Sequence, residues 1–106
     1  MNRGDVWWTD FRGAIRGEVR KPRPGVVVSN DIANRNLNRV QVVPLSTKVE
    51  RLYPSEAAVT VRGKPHKAMA DQLMTASKSR LRNRVGRLSK RDLEAVERVL
   101  RIQLGL

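Results

Sequence analysis

The chain of 106 residues contains no cysteine, and its aromatic residues are two tryptophans, one tyrosine and one phenylalanine. Without cysteine it can form neither a disulfide framework nor a thiolate zinc site, and it has no cysteine nucleophile. No run of about 18 apolar residues occurs, and the N-terminal residues lack the apolar segment of an export signal. These absences predict a cytoplasmic protein that does not enter a membrane.

Acidic residues are also scarce, with 10 Asp and Glu against 22 Lys and Arg, so the formal net charge is +12. Such a surface attracts polyanions at long range, and nucleic acid is the commonest polyanionic partner. A merely soluble basic protein is the alternative. The length leaves no room for a second core, and we expect one domain spanning residues 1–106.

Short β-branched and aromatic runs dominate most of the chain and predict strands. The predicted strands lie at 6–11, 26–28, 40–43, 57–61, 68–74 and 85–88. From Ser89 onward the apolar spacing is helical, which predicts an amphipathic helix of about four turns ending near Gly105. A shorter helical turn is predicted at 78–82. The pattern indicates a mainly β protein, a small bent barrel of six or seven strands with a helix packed against it.

Three basic loops between the predicted strands are candidates for RNA binding. Guanidinium, ammonium and amide groups bind phosphates and base edges, and a tyrosine can stack on a base, which is typical of surfaces for single-stranded nucleic acid. Ordinary solvated loops have a similar composition, and both interpretations stay open. The candidates are Arg16, Arg20 and Lys21 in loop 12–22, Asn34 and Asn36 in loop 30–39, and Thr47, Lys48, Arg51 and Tyr53 in loop 47–56.

One fixed cation and one hydroxyl stand out at the ends of neighbouring predicted strands. Arg23, in the stretch Lys-Pro-Arg-Pro-Gly, precedes the strand 26–28, and Ser46 follows Val-Val-Pro-Leu at the end of the next strand. A guanidinium beside a hydroxyl on a basic surface suits a phosphate. The sequence therefore predicts that these two residues share a phosphate site.

Five ordered pieces of sequence carry a family resemblance over essentially the whole chain. They are Arg3 to Phe11, Arg23-Pro24 with the strand that follows, Val43 to Ser46, Ala70 to Leu73, and Gly86 before the last helix. Together they resemble the MazF/PemK toxins of toxin–antitoxin modules. The resemblance implies an SH3-like barrel and a metal-independent endoribonuclease that needs no cofactor. Such an enzyme cuts single-stranded RNA, leaves a cyclic phosphate and a 5′-hydroxyl, and thereby inhibits translation and growth.

The resemblance also implies partners and catalytic residues. The family works as a homodimer silenced by a cognate antitoxin, and we expect an acidic antitoxin segment to occupy the RNA groove. The family's catalytic arginine falls on Arg23, and its catalytic threonine falls on Ser46, which keeps the hydroxyl. Both would stabilise the charge that grows on the phosphoryl oxygens when a ribose 2′-hydroxyl attacks.

The proton acceptor for that attack is not supplied by either residue, because arginine is a poor general base. Glu18 matches the acid of the family's loop before the arginine, and a carboxylate there could accept the proton. Here the loop reads Gly17-Glu18-Val19, without the family's serine and glutamine. An ion pair of Glu18 with Arg16 or Arg20 is the alternative interpretation.

Two pairs of neighbouring residues on predicted strands receive structural interpretations. A charge among the apolar residues of strand 68–74 requires partners, so Asp71 and Gln72 are interpreted as a hydrogen-bonded prop near the site or the dimer seam rather than as RNA contacts. Trp7 and Trp8 must face opposite sides of their strand. We therefore expect one of them in the core and the other at the surface.

The single histidine, His66, lies in the polar segment 63–67, which predicts a turn. Imidazole suits acid–base chemistry at neutral pH, but this turn is distant in sequence from every motif above, so we expect no catalytic role for it. One histidine without clustered carboxylates also supplies too few ligands for a metal ion.

Fold alone does not decide between toxin activities. CcdB-type toxins resemble the same architecture and poison DNA gyrase without cutting RNA, and a barrel that binds RNA without catalysis is a third possibility. The pairing of Arg23 with Ser46 in a basic setting favours the endoribonuclease, because a gyrase poison has no need of it.

Overall fold

Seven strands, in the part of the chain that the computed structural model describes (residues 1–12 and 21–106), form one curled antiparallel sheet. Their order is β4-β5-β3-β2-β1-β7. Strand β6 pairs with residues 39–42 of β3, the half of that strand that β5 does not contact. No described helix is long and apolar enough to cross a membrane. The elements are β1 (Asp5–Thr9), β2 (Arg23–Val27), α1 (Asp31–Asn36), β3 (Arg39–Ser46), β4 (Glu56–Val61), β5 (Lys64–Met69), β6 (Met74–Ser77), β7 (Leu81–Arg87) and α2 (Lys90–Leu104), with single 3-10 turns at Ala70–Gln72 and Lys78–Arg80.

The burial of each strand follows its place in the sheet. In β4 the apolar residues alternate, with Val59 and Val61 buried and Thr60 exposed, as expected for a strand with one solvated face. In β3 the residues from Val42 to Ser46 are all buried, because this strand lies in the middle of the sheet. The predicted barrel is therefore assembled around its most buried strand.

Helix α2 covers one face of the curled sheet. Its buried residues Val96 and Val99 pack into the larger of two core clusters, which the strands fill with Val and Ala side chains. A second cluster, around Phe11, fills the other side of the bend. The mainly β class with one packed C-terminal helix is thus confirmed. The helical turn predicted at 78–82 is a 3-10 turn at Lys78–Arg80, after which β7 begins.

The ends of α2 agree with the prediction from sequence. Ser89 Oγ accepts a hydrogen bond of 3.1 Å from the backbone N–H of Asp92. Gly105 ends the helix in the left-handed conformation, with φ 71°. Asp92 in turn accepts a 2.9 Å bond from the backbone N–H of Thr60, which joins the start of the helix to β4.

The prediction of a loop across 30–39 is wrong in part, because residues Asp31–Asn36 form helix α1. The side chain of Asn30 accepts a hydrogen bond of 2.8 Å from the backbone N–H of Ala33, which caps the helix. A helix of six residues is too short to show apolar periodicity, so its composition resembles that of a loop.

The prediction of one strand across 68–74 is also wrong. Strand β5 ends at Met69, where the chain turns, and Leu73 N–H donates to the carbonyl of Ala70. Strand β6 then pairs with the opposite end of β3 from the one that β5 contacts. Residues 68–74 form one apolar run because the end of β5 and the start of β6 both line the core. The chain changes direction between these two strands.

The predicted polar turn at 63–67 is shorter than expected. Only Arg62 and Gly63 form it, both with positive φ (51° and 77°), and Val61 pairs directly with Lys64. Two-residue hairpin turns of this kind match the twist of the flanking strands. Pro65 is tolerated in β5 because β3 pairs only with its far end. His66 therefore belongs to a strand.

Replacing Ser89 by Ala tests the helix cap. We expect Ser89→Ala to lower the free energy of unfolding by about 1 kcal/mol, because the first turn of α2 loses a bond that no other side chain replaces. Urea denaturation measures the change. Ser89→Asp, which keeps a capping oxygen, is the matched control and should remain close to wild type; equal stability of the alanine variant would contradict the cap.

Candidate phosphate-binding cleft

Strand β2 begins beside the end of β3, and an open cleft of about 530 Å³ lies at this edge of the sheet. The two strands pair in a register that joins Gly25 to Pro44 and Val26 to Val43. Continued by two residues, that register sets Arg23 opposite Ser46, and both residues line the cleft. The tertiary structure thus brings together the two residues that the sequence predicts to share a phosphate.

Arg23 enters the cleft with an incomplete set of hydrogen bonds. Its Nε is buried and has no hydrogen-bond partner among the described residues. Burial lowers the pKa of Arg23 from its usual value, yet a guanidinium keeps its charge at neutral pH. Because Arg23 is half-buried and lines the cleft, its fixed charge is available to an anion that enters there.

Ser46 is positioned to donate rather than to accept. It is only 8% exposed, and its Oγ accepts a hydrogen bond of 3.1 Å from the backbone N–H of Lys48. Because that bond uses a lone pair, the hydroxyl proton is left for another acceptor. A phosphoryl oxygen held by Arg23 is the acceptor that this geometry suits.

The remaining charges that line the cleft are positive. Lys21, Lys48 and Lys64 are exposed at its rim, and no carboxylate of a described residue lines it. Lys21, Thr47 and Lys48, all predicted to bind RNA, are therefore beside Arg23 and Ser46. A cationic cleft raises the local concentration of a polyanion before any specific contact forms.

Two acids on or next to β1, Asp5 and Asp10, form ion pairs with arginines. Asp10 bonds to the side chain of Arg12, which holds the pKa of Asp10 well below its usual range. Asp5 is buried and lies 3.3 Å from a nitrogen of Arg84. These pairings do not extend to the cleft, whose cations keep their charge available for a ligand.

Trp8 is a cleft residue that the sequence did not identify as one. Its indole is 40% exposed and lines the cleft, whereas Trp7 is partly buried against the cluster around Phe11. The expectation of one core and one surface tryptophan is met at Trp8, which is at the surface, and only in part at Trp7, which packs on the core without being fully buried. The strand register pairs Trp8 with Pro24, which also lines the cleft.

Arg51 and Tyr53 lie outside this cleft, in a cluster around Lys67. The Lys67 ammonium is 5.4 Å from the centre of the Tyr53 ring, and the Arg51 guanidinium is 5.7 Å from it. Lys67 pairs with Ser46 across the sheet, so the cluster borders the cleft on the β5 side. RNA binding by Arg51 and Tyr53 stays a prediction, with the exposed tyrosine ring flanked by two cations.

Asn34 and Asn36 lie at the opposite end of β3 from Ser46. Helix α1 precedes Arg39 at the start of that strand, and seven residues at about 3.3 Å each separate the two ends by about 20 Å. Asn34 is 2% exposed, and its amide donates to the carbonyl of Ser29 at 2.9 Å. The expectation that Asn34 binds RNA is corrected, because its polar groups are used inside the protein; Asn36 is exposed but remote from the cleft.

Asp71 and Gln72 occupy the 3-10 turn instead of a strand. Asp71 is exposed, so the expectation of a charge enclosed by apolar residues is wrong, while Gln72 is half-buried. The predicted catalytic residue Glu18 and the predicted RNA-binding residues Arg16 and Arg20 lie outside the described residues.

His66 lies in the cleft, contrary to the expectation from its sequence position. It is 7% exposed, and its Nδ1 is 3.1 Å from the carbonyl oxygen of Lys64. The short hairpin turn makes the difference, because it places His66 on β5, where the β3–β5 register continued by one residue sets it opposite the cleft residue Thr47. Sequence spacing contained no signal of this proximity.

A larger groove of about 790 Å³ lies between β4 and α2. It carries Arg62, Arg91 and Arg98 but also the carboxylates of Glu56 and Asp92, and it contains none of the residues predicted to be catalytic. Within residues 1–12 and 21–106, no group of three or more His, Asp or Glu side chains is placed to hold a metal ion. The smaller cleft is therefore the better candidate site.

Comparisons with known proteins give a consistent result. A family model described as "PemK-like, MazF-like toxin of type II toxin-antitoxin system" matches residues 2–104. The chain is 33% identical over 115 residues to Endoribonuclease MazF9 of Mycobacterium tuberculosis, and the alignment covers 100% of this chain and 98% of that protein. It is 32% identical over 111 residues to Probable endoribonuclease MazF of Mycolicibacterium smegmatis, with coverage of 100% and 98%.

Solved structures show the same likeness in three dimensions. An endoribonuclease in complex with its cognate antitoxin, from a mycobacterial species, matches with a TM-score of 0.84 and 25% identity, covering 100% of this chain and 96% of that one. MazF from Deinococcus radiodurans matches with a TM-score of 0.89 and 22% identity, covering 100% and 97%. The second likeness confirms the fold.

The two tryptophans allow a direct test of which face binds a ligand. We expect a single-stranded oligonucleotide with 2′-O-methyl riboses to change the fluorescence of Trp7→Phe, which retains the cleft residue Trp8. The matched variant Trp8→Phe retains only the indole on the core side and should respond weakly. A fluorescence titration measures the response of both variants. If only Trp8→Phe responded, the oligonucleotide would bind near Trp7 and not in the cleft.

Proposed function

The chain belongs to the PemK/MazF family of toxins of type II toxin–antitoxin systems, and we propose that it is an endoribonuclease that cleaves single-stranded RNA at the cleft formed by Arg23 and Ser46. The reaction proposed is attack of a ribose 2′-hydroxyl on the adjacent phosphate, without a metal ion or cofactor. The products are a cyclic phosphate and a free 5′-hydroxyl, and the loss of RNA inhibits translation and growth.

The single observation that carries this proposal is that Arg23 and Ser46 line one cleft whose other charged residues, among those the structure describes, are all lysines. Negative charge on the phosphoryl oxygens increases in the transition state, and preorganised donors stabilise it most at that point. Arg23 supplies charge and Ser46 supplies a hydroxyl proton.

Substrate binding follows from the same surface. Lys21, Lys48 and Lys64 would contact phosphates on either side of the cut, and Trp8 offers an exposed ring for a base. Contacts to phosphates carry no sequence information, so base selectivity requires the neighbouring loops. Arg51 and Tyr53, which lie beside Lys67, would contact the RNA as it leaves the cleft.

A homodimer and a cognate antitoxin complete the proposal. The solved mycobacterial relative binds its cognate antitoxin, and a formal net charge of +12 favours an acidic antitoxin segment here. That segment would occupy the cationic cleft and exclude RNA by direct competition. The protein would act in the cytoplasm, where its RNA substrate and antitoxin are made.

Gyrase poisoning by a CcdB-like mechanism and RNA binding without catalysis remain the competing functions. A gyrase poison does not require a guanidinium and a hydroxyl in a cationic cleft. A binding module would tolerate the loss of one hydroxyl, because phosphate contacts contribute additively. Catalysis alone makes both residues indispensable.

Cleavage of a long unstructured RNA in excess EDTA tests the proposal. We expect wild-type protein to cut at a shared short sequence and Arg23→Ala to be slower by a factor of about 10² to 10³ or more, because a charge-stabilising donor is lost. Sequencing of the new 5′ ends and analysis of the 3′ ends for cyclic phosphate identify the products. Thermal melting must show that the variant is folded; intact RNA with wild-type protein would favour a gyrase poison or a non-catalytic barrel.

Ser46 offers a matched pair of variants. Ser46→Thr keeps the hydroxyl and should retain cleavage, whereas Ser46→Ala removes the donor and should slow it by a factor of about 10² to 10³. Single-turnover kinetics on the same RNA measure both. If Ser46→Ala cut as fast as wild type, the hydroxyl would have no part in the reaction.

Competition tests the proposed partner. An acidic peptide from the cognate antitoxin should displace a fluorescent 2′-O-methyl oligonucleotide, and rising salt should weaken both complexes because both depend on charge. Simultaneous binding of peptide and oligonucleotide would show that the antitoxin does not occupy the RNA groove.

A further inference from the structure

We infer that His66 is the general base of this cleft, the group that removes the proton of the attacking 2′-hydroxyl. This inference rests on the proposed function, because it names a residue for the same reaction. It assigns a role to the only histidine of the chain, which neither the sequence motifs nor the family likeness singles out.

The first argument is the position of the imidazole. His66 and Ser46 lie on the adjacent strands β5 and β3, and both line the cleft that contains Arg23. Continued by one residue, the β3–β5 register sets His66 opposite Thr47, which also lines the cleft. The imidazole therefore borders the space in which Arg23 and Ser46 would hold a phosphate.

The second argument is the orientation of the ring. Nδ1 is 3.1 Å from the carbonyl oxygen of Lys64. Since a carbonyl oxygen only accepts, Nδ1 carries a proton and donates it, and in the neutral ring Nε2 then has the free lone pair. No hydrogen bond to a described residue uses Nε2. A hydrogen bond from Nδ1 to a backbone carbonyl is a common way to orient a histidine that acts through Nε2.

The third argument is the lack of an alternative among the described groups of the cleft. Its other charged groups are cations: Lys64 from β5, Lys48 after β3, and Arg23 and Lys21 at the start of β2. Side chains of these types carry their proton at neutral pH, whereas an imidazole titrates near neutrality. Only His66, among the described residues that line the cleft, belongs to a type suited to take up a proton there.

The reaction balances with this assignment. Nε2 takes the proton of the 2′-hydroxyl as O2′ forms its bond to phosphorus. The P–O5′ bond breaks, its electron pair leaves with O5′, and O5′ takes a proton from water to become the 5′-hydroxyl. The imidazolium then returns its proton to the solvent, so the net products are the cyclic phosphate and the 5′-hydroxyl.

The test combines kinetics with a direct titration of the imidazole. Because the chain has one histidine, its ring signals in an NMR pH titration belong to His66 without further assignment. We expect log kcat/KM of the wild-type protein to fall with decreasing pH below the pKa that NMR reports. In His66→Asn this acid limb should disappear and kcat should fall by about 10² to 10⁴, the usual contribution of general acid–base catalysis.

His66→Asn is chosen because the Asn side-chain amide can still donate to the Lys64 carbonyl. The shorter side chain has no atom at the position of Nε2, so it cannot accept the proton. Affinity for the 2′-O-methyl oligonucleotide should therefore change far less than kcat. If the Asn variant does not fold, His66→Gln replaces it. In addition, free imidazole should restore part of the cleavage by His66→Gly, which a purely structural role would not allow.

Glu18→Gln is the matched control, because a carboxylate base would give an acid limb near pH 4 instead. Wild-type kcat in His66→Asn, or loss of the acid limb in Glu18→Gln alone, would overturn the assignment to His66 while leaving the endoribonuclease intact. Failure of wild-type protein to cut RNA at any pH would instead contradict the proposed function.

Discussion

The pairing of β2 with β3 is the interaction on which the candidate site depends. The register of these strands sets Gly25 opposite Pro44, and continuing it by two residues sets Arg23 opposite Ser46. A shift of one residue would turn one of the two side chains to the other face of the sheet. The register is held by the buried run from Val42 to Leu45, which has no polar face that could tolerate such a shift.

Charge distribution gives this strand pair its chemical character. Asp5 pairs with Arg84 of β7 and Glu56 with Lys67 of β5, while Asp10, just after β1, pairs with Arg12. The cations of the cleft line it without a described carboxylate among them. The cleft, where β2 begins and β3 ends, therefore carries several positive charges that no carboxylate of a described residue neutralises. These charges explain how one cleft could attract both RNA and an acidic antitoxin.

Local signals predicted those parts of the fold that depend on neighbours in sequence. The cap at Ser89 and the end at Gly105 were predicted because each motif is complete within a few residues. Helix α1 was missed because six residues are too few to show a period. The strand at 68–74 was misassigned because burial makes both halves apolar, although the chain turns at Ala70–Gln72 and β6 continues along another part of β3.

By itself, the sequence determined the class of fold, the basic surface and the two residues Arg23 and Ser46, since these follow from composition and from motifs at strand ends. Only the tertiary structure decided which other residues share their cleft. It brought in His66 and Trp8, and it set Asn34 and Asn36 at the far end of β3. The physical reason is that strand pairing joins residues distant in sequence, and a turn of two residues rather than five changes which side chain stands beside the site.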